Sequence, residues 1–172
     1  MKIYIVGSVG SGKSTLARRA AKLTGIPCTH LDEVVYEEDP TDSWGNRKRP
    51  NEVIESTFRA VLLQEHYIME DAGRERFADG MACADMVVVL DYPLYLRKWR
   101  IVTRWMKQKL GMEKCIYRPH TKMLKAMLRW INNYETNKDG TKGRIAHFKE
   151  KTIFLHNKKD TEQWLESLPR IH

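Results

Sequence analysis

The 172-residue chain predicts an α/β fold with a mainly parallel sheet, on three observations. Short apolar runs of strand type (Ile3 to Val6, His66 to Met69, Met86 to Leu90, Ile153 to Leu155) alternate with stretches of helical periodicity. Met86-Val-Val-Val-Leu90 is continuously apolar, as expected of a strand covered on both faces. The first run passes through Gly7, four residues and Gly12-Lys13-Ser14 into a helix.

The remaining elements follow in order. Leu16, Ala20 and Leu23 recur at helical spacing until Gly25-Ile26-Pro27 stops them. Cys28 to Leu31 reads as a second strand ending at Asp32, and residues 33 to 49 as a polar loop in which Glu37, Glu38, Asp39 and Asp42 form a solvated face. Pro50 opens a helix with Ile54, Phe58, Val61 and Leu62 on one side. His66 to Met69 is a third strand, Phe77 to Cys83 a short helix, and Asp85 to Asp91 holds the fourth strand. Pro93 opens a long basic helix to about Leu110, with Asp91 as its cap, and Pro119 opens another bearing Met123, Met127, Leu128 and Ile131. A turn over 136 to 143, a helix over Arg144 to Lys149, a strand at Ile153 to Leu155 and a helix from Thr161 to Leu168, capped by Asp160 or Thr161, complete a single expected domain. Tyr92, Tyr95, Trp99, Trp105 and Trp130 are expected to pack helices together.

Composition narrows the class. The chain is 42% hydrophobic and 30% charged, which fits a globular protein, and no apolar run approaches the ~20 residues of a membrane helix. Three unpaired cysteines (Cys28, Cys83, Cys115) and no signal peptide point to a reduced, cytoplasmic setting without a membrane partner. The net charge of +8 is uneven: residues 92 to 129 hold 11 Lys and Arg but only Glu113 as an acid, whereas residues 1 to 91 hold 11 against 15. A basic segment of this kind needs an anionic partner or a solvated face.

The glycine loop points to the anion. Glycines let successive N–H groups of Gly7, Ser8, Val9, Gly10, Ser11, Gly12, Lys13, Ser14 and Thr15 turn toward one centre, and the helix that follows adds the positive end of its dipole. Lys13 reaches the terminal phosphates and Ser14 ligates Mg²⁺. The expected cofactors are ATP and Mg²⁺. Ligands of such sheets bind at the carboxyl ends of the strands, which puts the loop, Asp32, Glu70 to Arg74 and Asp91 around one crevice.

Further residues carry a resemblance. Arg100-Ile-Val-Thr-Arg104, after a strand ending in Leu90-Asp91, resembles the start of the lid of adenylate kinases. Tyr67-Ile-Met-Glu-Asp-Ala-Gly-Arg74 resembles that family's third strand, and Leu31-Asp32 resembles the strand end of shikimate and gluconate kinases. With the 33–49 loop and Trp44, the chain most resembles the small kinase-like DNA topology modulation proteins. Glu70-Asp71 replaces the Asp-Gly of the adenylate kinase strand, and the lid lacks zinc cysteines.

The resemblance implies a P-loop NTPase core with strand order 2-3-1-4-5 and a helical lid over about 97–145. It further implies a phosphotransferase moving the γ-phosphoryl of ATP to a small acceptor such as a nucleotide. Arg104 would neutralise charge on the moving group, Arg100 would lie on the base, and Arg144 would return from the lid. Asp32 would hold the acceptor hydroxyl or a Mg²⁺-bound water. Arg74 would bind an anionic group of the acceptor, Trp44 would help enclose it, and Glu70, with Asp71 and Asp91 as rivals, would serve the metal beside Ser14. The alternatives are an ATP-binding regulator or ATPase that binds DNA through the basic segment, and a protein that holds ATP and turns it over poorly.

Overall fold

The computed structural model describes residues 1–42, 44–113 and 119–170; Cys115 lies outside them. Five parallel strands form the main sheet: β1 (Lys2–Gly7), β2 (Cys28–His30), β5 (Tyr67–Asp71), β6 (Met86–Leu90) and β7 (Thr152–Leu155). Their order is β2-β5-β1-β6-β7, which is 2-3-1-4-5 once the strands of a separate hairpin are left out of the count.

The two faces of the sheet bury different residues because side chains alternate along a strand. Tyr4, Val6, Met69, Val87 and Val89 face one way, onto Ile54, Phe58 and Val61 of α3 (Asn51–Leu62) and Met81 of α4 (Ala78–Cys83). Ile3, Ile5, Ile68, Val88 and Leu90 face the other, onto Leu16, Ala17 and Ala20 of α1 (Lys13–Thr24) and Trp164 and Leu165 of α8 (Lys158–Glu166). The result is three layers, helix on sheet on helix. Each fully buried Ile or Val contributes about 1.5–3 kcal/mol, and truncating Ile5 to Ala costs about 2–5 kcal/mol.

The basic segment forms α5 (Leu94–Lys109) and α6 (Thr121–Glu135), joined by Ile101 packing on Met123, Met127 and Ile131. α7 (Thr141–Ala146) follows.

Several elements depart from expectation. Residues 33–49 are not one polar loop: α2 (Leu31–Val35) leads into an antiparallel hairpin of β3 (Tyr36–Glu38) and β4 (Asn46–Lys48). The cross-strand pair Glu37–Arg47, at 2.7 Å, and Arg49 at 3.2 Å from Glu37 supply the order that composition hid. Strand β2 ends at His30, which leaves Asp32 in the first turn of α2. Helix α7 starts three residues before Arg144. The cap of α8 is Asn157, whose side chain accepts from the Asp160 amide at 3.0 Å. No side chain caps α5, and Asp91 lies instead 3.9 Å from His156. Tyr92 is buried, but Tyr95, Trp99 and Trp130 are exposed rather than packed.

Candidate functional site: a glycine loop, a buried carboxylate and an arginine-held turn

The loop between β1 and α1 is built by two left-handed glycines, Gly10 at φ 76° and Gly12 at φ 99°. A Cβ on Gly10 would stand 2.7 Å from the carbonyl oxygen of Arg97, so both space and conformation demand glycine there. The Ser11 amide closes the turn on Ser8 O at 3.3 Å, and the Leu16 amide makes the first helical bond to Gly12 O at 3.0 Å. No side chain caps α1 and its first turn holds no acid, so the end of the helix keeps its positive potential. The Ser11 hydroxyl, inside this loop, is buried without a hydrogen-bond partner.

Beside the loop, sheet register sets Glu70 next to His30 on one side and Ile5 on the other. Glu70 is 2% exposed. Its Oε1 accepts from the Ser14 hydroxyl at 2.9 Å and lies 2.9 Å from His30 Nδ1. Its Oε2 has no hydrogen bond and faces the Lys13 ammonium at 4.0 Å. Burial alone would raise the Glu70 carboxyl, but His30, Lys13 and Ser14 outweigh it and hold it below the usual range. The His30 imidazole is pushed up to about 10 by the Cys28 sulfur, 4.0 Å from Nε2, and by Glu70, against its burial.

The far wall is a turn after β5. Asp71 takes the Gly73 and Arg74 amides at 2.7 and 2.5 Å and the Arg74 guanidinium at 2.5 Å. The other arm of Arg74 donates to Asp32. Burial works to raise Asp32, yet Arg74, Lys13 and His30 keep it below its ordinary value, so it stands ionised at neutral pH. Arg144 donates to Gly73 O from Nε at 3.2 Å and from a terminal nitrogen at 2.7 Å, which ties α7 to this turn.

The arginine row of α5 divides. Arg97, 1% exposed, donates to Tyr92 O at 2.6 Å, to the Ser8 hydroxyl at 2.7 Å and to Glu135 of α6 at 2.5 Å. Arg100 donates to Ser11 O at 2.9 Å and lies over the Tyr92 ring. Arg104, one turn on, is exposed and pairs with Glu113 at 3.2 Å.

Lys13, Ser14, Glu70 and Arg100 thus gather at the glycine loop, and Asp32 and Arg74 form the neighbouring wall. Arg104 is paired with Glu113 rather than with the loop, and Arg144 serves the turn. Trp44, in the β3–β4 turn, is 41% exposed and shares a cavity of about 300 Å³ with His120, Thr121 and Lys122. Sequence reasoning missed His30, whose signal is only its register opposite Glu70, and gave no site role to Arg97, whose burial no local pattern reveals.

Comparison with known proteins agrees with this architecture. A sugar kinase from a Janibacter species is 19% identical, covers 96% of this chain and 90% of its own, and has a TM-score of 0.53. The shikimate kinase of Acinetobacter baumannii, solved with shikimate, is 18% identical over 96% of this chain and 88% of its own, at 0.53. That of Bacteroides thetaiotaomicron is 15% identical over 96% and 94%, also at 0.53. At such identities the likeness is one of fold. No curated protein matches the chain. The family model AAA_18, described as an AAA domain, matches residues 3–117, and the chain belongs to that family.

Proposed function

We propose that the protein is a P-loop phosphotransferase that binds a nucleoside triphosphate at residues 7–15 and passes its terminal phosphoryl group to a small hydroxylated acceptor. The observation that carries the reading is the uncapped, acid-free start of α1 behind two left-handed glycines, with Lys13 and the unpartnered Ser11 hydroxyl in the same loop. Main-chain amides, a helix end and one ammonium form a cradle for a polyphosphate.

The donor set fits Mg²⁺. The Ser14 hydroxyl and Glu70 Oε2, which accepts no hydrogen bond, are hard oxygen donors, and among the described residues no cluster of three or more His, Cys, Asp or Glu side chains is arranged to hold a metal. An ion that keeps most of its shell as water and phosphate needs only one or two such groups. When bound, Mg²⁺ neutralises charge on the phosphates.

The chain's own residues supply the rest. Arg100 steadies the loop at Ser11 O. Asp32, ionised and half-exposed, is placed to accept a proton from an acceptor hydroxyl. Arg74 orients Asp32. The α5–α6 arm, roughly the lid that the sequence anticipates, brings Arg104 over the phosphates only if it moves from its pairing with Glu113. The kinase relatives of similar fold favour this class of reaction, with the topology modulation proteins as the resembling type.

The test is Lys13→Ala. ATP affinity by calorimetry and ADP release across nucleotides, nucleosides and small polyols should fall about a hundredfold or more. Unchanged ATP binding in the variant would end the proposal.

A further inference from the structure

Among the described residues, seven of the thirteen exposed large apolar side chains lie between residues 95 and 130, the same segment that carries the excess positive charge. Five of them, Tyr95, Trp99, Val102, Met106 and Leu110, recur at intervals of four, three, four and four. That spacing keeps them within a narrow stripe along α5 and its C-terminal cap. Tyr95, Trp99 and Leu110 are 75%, 64% and 71% exposed. Arg97, Ile101 and Gln108 mark the opposite, buried face. The stripe is about 22 Å long at 1.5 Å per residue.

A stripe of this length on a surface helix marks an interaction site. Its flanks say with what. By the 100° turn per residue, Lys98 and Lys109 border the stripe on one side and Lys107 stands beyond it on the other, and α5 contains no acid. A second copy seated on the stripe would set lysines against lysines. A nucleic acid needs cations at the centre of the contact, whereas here the centre is apolar and the cations lie at the margin. Aromatic and aliphatic side chains at the centre with lysines alongside is the arrangement of a helix lying in the headgroup boundary of an anionic bilayer.

We propose that the exposed face of α5 is a docking surface for an anionic lipid membrane, with Trp99, Val102, Met106 and Leu110 entering the acyl boundary and Lys98, Lys107 and Lys109 meeting the headgroups. No helix among the described residues is long and apolar enough to span a bilayer, so the contact is peripheral. The stripe faces away from Arg97 and the glycine loop, so the nucleotide site stays open when the surface is occupied.

The full-length protein is to be sedimented with phosphatidylcholine vesicles containing or lacking about 30% phosphatidylglycerol, at low and high salt. Binding is expected on the anionic vesicles alone, weakening with salt, with a blue shift of tryptophan emission that Trp99→Phe reduces. Met106→Glu with Val102→Glu should lower partitioning about tenfold or more, and Lys98→Gln, Lys107→Gln and Lys109→Gln together about a hundredfold. Circular dichroism establishes that the variants fold. No partitioning by the wild type overturns the proposal. So does partitioning that folded Met106→Glu, Val102→Glu protein retains. Equally contrary are a wild-type dimer that those substitutions dissociate, and tight binding to oligonucleotides in place of vesicles.

Discussion

The two walls of the crevice are made in opposite ways. The glycine-loop wall is local: Gly7 to Thr15 curl within nine residues, and the first-turn amides of α1 are left without a capping side chain. The wall opposite is assembled from afar: Asp32, Asp71, Arg74 and Arg144 come from α2, β5, the turn after it and α7, and each charged group is bonded to protein. One wall holds donors in reserve for a ligand, and the other has already used Arg74 on its own carboxylates and Arg144 on a main-chain carbonyl. An acceptor at the second wall must therefore exchange bonds with Arg74 rather than meet a free guanidinium.

The contrast can be broken or sharpened by substitution. Among substitutions in the two walls and the residues that anchor them, the largest effect on stability is expected from Arg97→Met. Arg97 joins the glycine loop to α6 from a fully buried position, so its loss leaves Ser8 and Tyr92 O without their donor and Glu135 with Lys142 alone, at a cost of about 2–4 kcal/mol by denaturant titration. Nucleotide affinity should weaken with it, because Ser8 loses its anchor. Gly73→Ala attacks the other wall. A Cβ there would meet Thr141 at 2.3 Å from a residue at φ 89°, so about 1–3 kcal/mol is expected, with the KM for acceptor raised more than that for ATP.

A pH series separates the walls further. His30, raised to about 10 from 6.5, gives stabilisation that is complete below about pH 6.5 and is lost as pH rises through about 10. The melting temperature should thus decline over that interval, and His30→Gln should flatten the decline. Glu70 and Asp32, both held low, give stabilisation present above the ordinary carboxylate range and lost as pH falls through their folded values. Asn157→Ala, remote from both walls, sets the floor: a lost cap of about 1 kcal/mol, or about 2–4 °C.

The same contrast explains what the sequence revealed. The loop was legible because its requirements lie in adjacent residues, and the sheet because continuous runs such as Val87-Val88-Val89 have few other uses. The β3–β4 hairpin was not, because its strands are three residues each and polar, and the cross-strand pairing that orders them, with Glu37 against Arg47 and Arg49, joins residues ten or more apart. Glu70 was legible as an acid at a strand end. Its partnership with His30 depends on register across forty residues, which no local pattern encodes. Arg104 read as a companion of Arg100 by resemblance to a lid start and by its place four residues on, whereas the fold gives the glycine loop to Arg97 and Arg100 and leaves Arg104 with Glu113.

The burial of Arg97 also constrains how this protein can be recombined. Its guanidinium spans Ser8 and Glu135, so the α5–α6 arm is not an interchangeable cassette. A chimera that imports another arm onto this sheet must bring a buried arginine at 97 with its own carboxylate partner, or leave the Ser8 hydroxyl and Tyr92 O without that donor at the graft.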